Sequence, residues 1–225
     1  MNGILILLLL ILIAALPAII VYFWFRAKNS PVTLPWFLAS LAAGIVSLLV
    51  AVLAQKFFSP LGRDGLGPLL FGIFIRIALV EEASRLVCLI ALFSVSKRWG
   101  LDTNKPFGAA IGLVSGLGFA MIENTFYGLQ EINIILLRGI TAAPLHSACG
   151  IRAGTAIFTA NEHPLNSLFL FISAILIHGA YNLMIVSPAL PSMLAIPIAF
   201  AALFASIHLI KPKDKDNEKT SIPAP

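Results

Sequence analysis

Four ionisable side chains interrupt an otherwise apolar stretch at residues 68–95. They are Arg76, Glu81, Glu82 and Arg85. Each such group costs about 2.5–3.5 kcal/mol to insert near the centre of a bilayer, so charges at that depth usually serve a function. Arg85 follows Glu81 by four residues and Glu82 by three, which lets it reach either carboxylate on one helix face. Purely structural ion pairs would not need two adjacent, mutually repelling glutamates, and we interpret the pair as functional.

Further polar residues interrupt the next three apolar stretches. They are Glu123 and Asn124 in residues 106–128, Arg138 and His146 in residues 133–158, and His178 and Asn182 in residues 166–186. The spacing of His178 and Asn182 places both on one helix face. Glu81, Glu82, His146 and His178 all fall twelve to fourteen residues into their stretches. At about 1.5 Å per residue, that depth is one level near mid-membrane. The sequence therefore predicts a single pocket, which also takes in Arg85.

The chemistry open to this set is the activation of water. Carboxylates and neutral imidazoles can deprotonate a water molecule, and histidine and asparagine can donate hydrogen bonds to a developing oxyanion. Glu82, His146 and His178 can also hold a zinc ion with an open position, although the zinc motif H-E-x-x-H is absent. The residue types alone do not separate metal-assisted from metal-free activation.

Membrane helices are the elements that must position these residues. Of the 225 residues, 59% are apolar and only 11% are charged, and several runs reach the roughly 20 residues needed to cross a bilayer. We predict an all-α, polytopic transmembrane bundle with an intramembrane active site. Its seven or so spans are residues 3–25, 36–56, 68–95, 106–128, 133–158, 166–186 and 190–210. Gly108, Gly112 and Gly116 recur every four residues and predict close packing against a neighbouring helix.

The distribution of apolar and charged residues also predicts the domain organisation and the partners. Residues 1–210 form one transmembrane domain, and residues 211–225, which mix lysine with aspartate, are expected to be a disordered cytoplasmic tail. The net charge of +5 comes from Lys and Arg at membrane edges and implies no nucleic-acid partner. The expected surroundings are the lipid bilayer.

Loop charges predict the orientation. Nine basic residues lie in the connections after spans one and three and in the tail, against two on the opposite side. By the positive-inside rule the N-terminus faces outside and the C-terminus faces the cytoplasm.

Four motifs in this sequence resemble those of the PrsW family of intramembrane proteases, in the same order. They are Glu81-Glu82-x-x-Arg85, Phe119-x-x-x-Glu123-Asn124, Arg138 followed by His146, and His178-x-x-x-Asn182. The family is related to CAAX prenyl proteases and to bacteriocin-processing proteins. Each motif by itself is weak, but four in order across residues 81–182 are a specific match.

The resemblance implies a multi-pass peptidase of a bacterial cell membrane that cuts a membrane-anchored protein. It implies that Glu81 or Glu82 is the water-activating base, assisted by His146. His178 and Asn182 would then stabilise the oxyanion. The resemblance includes Glu123 and Arg138 as characteristic positions without defining their roles.

Two other functions stay open at this point. Intramembrane glutamates and histidines also form proton relays, so a proton- or ion-coupled transporter is one alternative. The sequence shows no second copy of either the Glu-Glu or the His-x-x-x-Asn pattern, whereas transporters of that kind often contain repeats. A non-catalytic membrane scaffold is the other alternative. A protease requires one of the paired glutamates within one water molecule of His146, and a transporter requires a polar path to both faces.

Overall fold

Every regular element in the described part of the chain is helical. The computed structural model describes residues 3–58, 65–98, 104–130, 132–187 and 190–210. The α-helices are α1 (Gly3–Ala27), α2 (Leu34–Gln55), α3 (Leu66–Phe71), α4 (Val80–Arg98), α5 (Lys105–Gly128), α6 (Ile132–Thr159), α7 (Pro164–Val186) and α8 (Ala195–Ile207). A π-helix, Gly72–Leu79, joins α3 to α4, and the 3₁₀ turns Ser192–Leu194 and His208–Ile210 flank α8.

The helix ends follow local turn chemistry. Asn29, after α1, adopts a φ of 50°, a left-handed conformation that asparagine tolerates better than most residues. Asn104 caps α5, because its side-chain oxygen accepts a hydrogen bond from the backbone N–H of Phe107 at 2.9 Å. Pro164 opens α7, at a position where a missing N–H costs nothing. These breaks agree with the predicted span boundaries.

The third predicted span is a continuous helical path with a π-helical segment in its middle. The π-helix ends at Leu79, two residues before Glu81. π-Helical turns are rare and are frequent near functional sites. The ring of Phe74, within this segment, packs against Gly179, where a β-carbon would lie 3.0 Å from the Phe74 Cγ atom. The π-helix therefore packs on α7 directly beside His178.

Helices α5 and α6 form the centre of the bundle, and α5 is buried along most of its length. Their backbones meet through the predicted glycine stripe. A β-carbon at Gly112 would lie 2.7 Å from the carbonyl carbon of Gly150 and 3.2 Å from Cα of Gly154. Gly116 approaches the backbone of α6 equally closely, and Gly108 faces the Phe158 side chain and the carbonyl oxygen of Gly154 on the same helix. The packing role predicted for this stripe is confirmed.

The predicted class, an all-α polytopic transmembrane bundle, is confirmed. In the described ranges, five segments are long and apolar enough to cross a membrane: α1, α2, α5, α7 and Ser192–Ile210. The two other long helical segments, Leu66–Arg98 and α6, carry most of the charged residues singled out in the sequence, and Glu123 lies on α5. The predicted tail at 211–225 lies outside the described residues. The orientation, which depends on loops that are described only in part, stays a prediction.

Candidate active site

Glu82 and Arg85 form a fully buried ion pair on α4. One guanidinium nitrogen of Arg85, Nη1, donates to Oε2 of Glu82. The other terminal nitrogen lies 3.2 Å from Nδ1 of His146, and the guanidinium carbon lies 4.6 Å from the centre of the Phe119 ring. A buried charge without partners is strongly destabilising, so these contacts explain how an arginine is tolerated at this depth.

His146 is held between Arg85 and Glu123. Arginine can only donate, so Nδ1 of His146 accepts, and the proton of a neutral imidazole is therefore on Nε2. That nitrogen lies 2.8 Å from Oε2 of Glu123 and donates to it. The same Glu123 oxygen pairs with Arg138 at 2.7 Å, and Arg138 Nε donates to Oδ1 of Asn124 at 2.9 Å. Three predicted pocket residues on α5 and α6 thus fix the orientation of His146.

His178 lies between the two adjacent glutamates. Its Nδ1 atom is 2.8 Å from Oε1 of Glu82, and because a carboxylate accepts, Nδ1 carries the proton. The unprotonated Nε2 of a neutral His178 then faces Oε2 of Glu81 at 3.6 Å. This Glu81 oxygen is buried and has no hydrogen-bond partner in the described part of the chain. A donor or a cation between two facing acceptor atoms would satisfy both of them.

The distance between the two atoms suits a single bridging water molecule. Atoms 3.6 Å apart can both lie about 2.8 Å from one water oxygen placed to the side of the line that joins them. Such a water would donate one hydrogen bond to Oε2 of Glu81 and another to Nε2 of His178.

Asn182 and Gln55 complete the surroundings of Glu81 and His178. Asn182 follows His178 by one helical turn, is partly buried, and makes no hydrogen bond with the residues that the structure describes. Gln55, in the last turn of α2, donates from Nε2 to Oε1 of Glu81 at 3.2 Å. The sequence analysis missed Gln55, because a polar residue at the end of an apolar span is ordinary at a membrane boundary. Arg76, in contrast, makes no ion pair with the described residues.

The three predicted zinc ligands are residues of types that bind zinc, and their ligand atoms lie almost close enough together to share one ion. One ligand atom each from Glu82, His146 and His178 lie within 4.8 Å of one another, and all three residues are buried. Two histidines and a carboxylate are ordinary zinc ligands, and bonds of about 2.0–2.2 Å would bring such atoms somewhat closer. In this structure Arg85 bonds both Glu82 and His146. Metal binding would therefore require its guanidinium to move away.

The structure brings most of the predicted site residues into one connected cluster. Residues from α4, α5, α6 and α7 meet, as the shared depth predicted, and the rings of His146 and His178 are perpendicular with centres 5.0 Å apart. The ligand atoms of Glu82 and His146 lie within 4.8 Å of each other, a distance that one water molecule can bridge, but in this structure Arg85 bonds both residues. Asn182 is the one predicted member that makes no hydrogen bond or ion pair with the cluster in the described part of the chain.

Buried carboxylates and histidines thus meet inside a bundle of membrane helices, and side chains of these types can activate water. Residues 32–208 match the family described as PrsW family intramembrane metalloprotease, and the chain belongs to this family. It is similar to Protease PrsW of Clostridioides difficile (strain 630), with 28% identity over 191 residues that cover 77% of each protein. No solved structure gives a significant match.

The family resemblance inferred from four motifs is thus confirmed, and the protein is a membrane protease. This assignment favours the protease over the transporter and scaffold alternatives. It implies a protein substrate and a membrane environment, and it agrees with five segments able to span a bilayer.

Proposed function

We propose that this protease hydrolyses a peptide bond of a membrane-anchored protein with a water molecule activated by Glu81 and His178. The observation that carries the proposal is the pair of facing acceptors, Oε2 of Glu81 and Nε2 of His178, 3.6 Å apart and buried. The sequence analysis left Glu81 and Glu82 open as the base. Both oxygens of Glu82 have partners, Arg85 and His178, which favours Glu81.

The proposed reaction balances without a further reactant. The water oxygen bonds to the scissile carbonyl carbon as one water proton passes to Glu81. The carbonyl electron pair moves onto its oxygen, and the amide of Asn182 donates a hydrogen bond to that oxyanion. The carbon–nitrogen bond then breaks, and the proton held by Glu81 passes to the leaving amine nitrogen.

The remaining cluster residues hold the reacting groups in position. Glu82 keeps the proton of His178 on Nδ1, so Nε2 is free for the water. Arg85 neutralises Glu82 and contacts His146, which Glu123 in turn orients. In this scheme His146 assists indirectly, by holding the Glu82–Arg85 pair in place.

A metal-assisted version uses the same residues. Glu82, His146 and His178 would hold the zinc ion, with Glu81 beside it as the base. Bound zinc supplies Lewis-acid polarisation of a carbonyl oxygen. The hydrogen bond from His146 to Glu123 is the type of contact that orients a metal-binding imidazole and raises its basicity.

Access to the site is proposed from the side where α5 ends and α6 begins, which the loop charges assign to the outside of the cell membrane. The side chains of Glu82 and Arg85 are 0% exposed, whereas those of Glu123 and Arg138 are 20% and 12% exposed. Polar groups that become more exposed toward one end provide a hydrated path for water and for an unwound substrate. Cleavage is then expected in the outer half of the membrane or just beyond it.

The test of this function is a comparison of membrane-protein N-termini in cells that express the wild type, Glu81→Gln or Glu162→Gln. Glu162 lies exposed in the turn before α7, so its substitution is a matched control for the same chemical change. We expect new N-termini in membrane proteins with the wild type and the control, and none with Glu81→Gln at equal expression. Equal cleavage by Glu81→Gln would refute the assignment of Glu81 as the base.

A further inference from the structure

Gln55 is the only described residue that donates a hydrogen bond to Glu81. The two side chains come from different helices, 26 residues apart in sequence, and the distance from Nε2 to Oε1 is 3.2 Å. A carboxylate accepts only, so the amide must present its nitrogen rather than its oxygen. The bond therefore occupies one oxygen of Glu81 and leaves Oε2 toward His178.

Without this bond, little in the described structure fixes the direction of the Glu81 carboxylate. Its neighbour Glu82 is held by Arg85 and His178, whereas the contact from Glu81 to His178, at 3.6 Å, is longer than a hydrogen bond. A glutamate has three rotatable bonds, and a misplacement of about 1 Å can cost 100-fold in rate. A base in this position needs a second group to aim it.

We infer that Gln55 is a positioning residue for the reaction, one that aims the free oxygen of Glu81 at the water beside His178. The inference rests on the proposed role of Glu81 as the base. It assigns to α2 a part in the active site, although the motifs that identify the family here lie between residues 81 and 182. The amide acts through Glu81 and need not touch the substrate.

The test compares Gln55→Ala and Gln55→Met with Lys56→Ala. Methionine is about as long as glutamine but has no amide donor, so it separates hydrogen bonding from packing. Lys56 is the exposed neighbour at the same helix end and serves as the control. The probe is a quenched-fluorescence peptide that contains a cleavage sequence identified by the N-terminus comparison, assayed with purified protein in lipid vesicles.

Both Gln55 variants should lower kcat by about 10- to 100-fold, the equivalent of one hydrogen bond to a charged group, with less than a threefold change in KM. The same lost bond should lower the melting temperature by about 3–12 °C without unfolding the protein at the assay temperature, and Lys56→Ala should leave both kcat and stability unchanged. Wild-type kcat in Gln55→Met, or a loss of kcat that accompanies a loss of folding in both variants, would overturn the inference. Glu81→Gln distinguishes a failure of this inference from a failure of the proposed function. If that variant cleaves normally, Glu81 is not the base, whatever the result for the Gln55 variants.

Discussion

Substituting Gly116 with alanine tests whether the close contact of α5 and α6 sets the geometry of the site. A β-carbon at this position would lie 2.5 Å from the carbonyl carbon of His146 and 2.9 Å from Cα of Ser147. Ordinary contact begins at 3.4 Å, so the two backbones must separate by about 1 Å. Because the obstructing atoms are backbone atoms, no side-chain rotation relieves the clash. The shift moves His146 away from Phe119 and Glu123, its contacts on α5.

We expect Gly116→Ala to lose about 100-fold in kcat, the usual cost of a 1 Å misplacement, and about 1–3 kcal/mol in stability from overpacking. The assay is cleavage of the quenched-fluorescence peptide in vesicles, together with thermal unfolding. Gly139→Ala is the control, because Gly139 lies on α6, the helix that Gly116 contacts, but has no atom within 4 Å of an added β-carbon. Alanine has a higher helix propensity than glycine by about 1 kcal/mol, so this control substitution should not destabilise α6. Wild-type kcat and melting temperature in Gly116→Ala would refute the link between this contact and the site.

Two further predictions concern the metal and the direction of access. If zinc assists, the purified protein should contain about one zinc per chain by mass spectrometry, a chelator should remove both metal and activity, and His146→Ala or His178→Ala should abolish zinc retention. Activity that survives complete metal removal would leave only the metal-free route. In a background without native cysteines, a cysteine in place of Asn182 should react with a membrane-impermeant thiol reagent from outside, and one in place of Ala109 should not. Labelling of position 182 from the cytoplasm alone would reverse the proposed orientation.

The sequence by itself determined the class of fold and predicted most residues of the candidate site. Apolar runs of bilayer length have few alternatives to membrane helices, because in lipid each span must satisfy its own backbone hydrogen bonds. Charges inside such runs are costly enough to mark a function, and this is how Glu81, Glu82, His146 and His178 were identified. A constant rise per residue was sufficient to predict that these four lie at one depth. The same regularity predicted that Gly112 would face a neighbouring helix.

Only the tertiary structure indicated which role each of these residues is proposed to have. The choice of Glu81 over Glu82 as the proposed base depends on which carboxylate oxygens already have partners. The partners of Glu82 are Arg85 on the same helix and His178 on α7, and the second depends on how the helices pack. The contact from Gln55 depends on how α2 crosses α4, and the π-helix at Gly72–Leu79 has no periodic signal in the sequence. Depth along a helix follows from local geometry, whereas the direction in which a side chain points, and what it meets there, follows from how the helices pack.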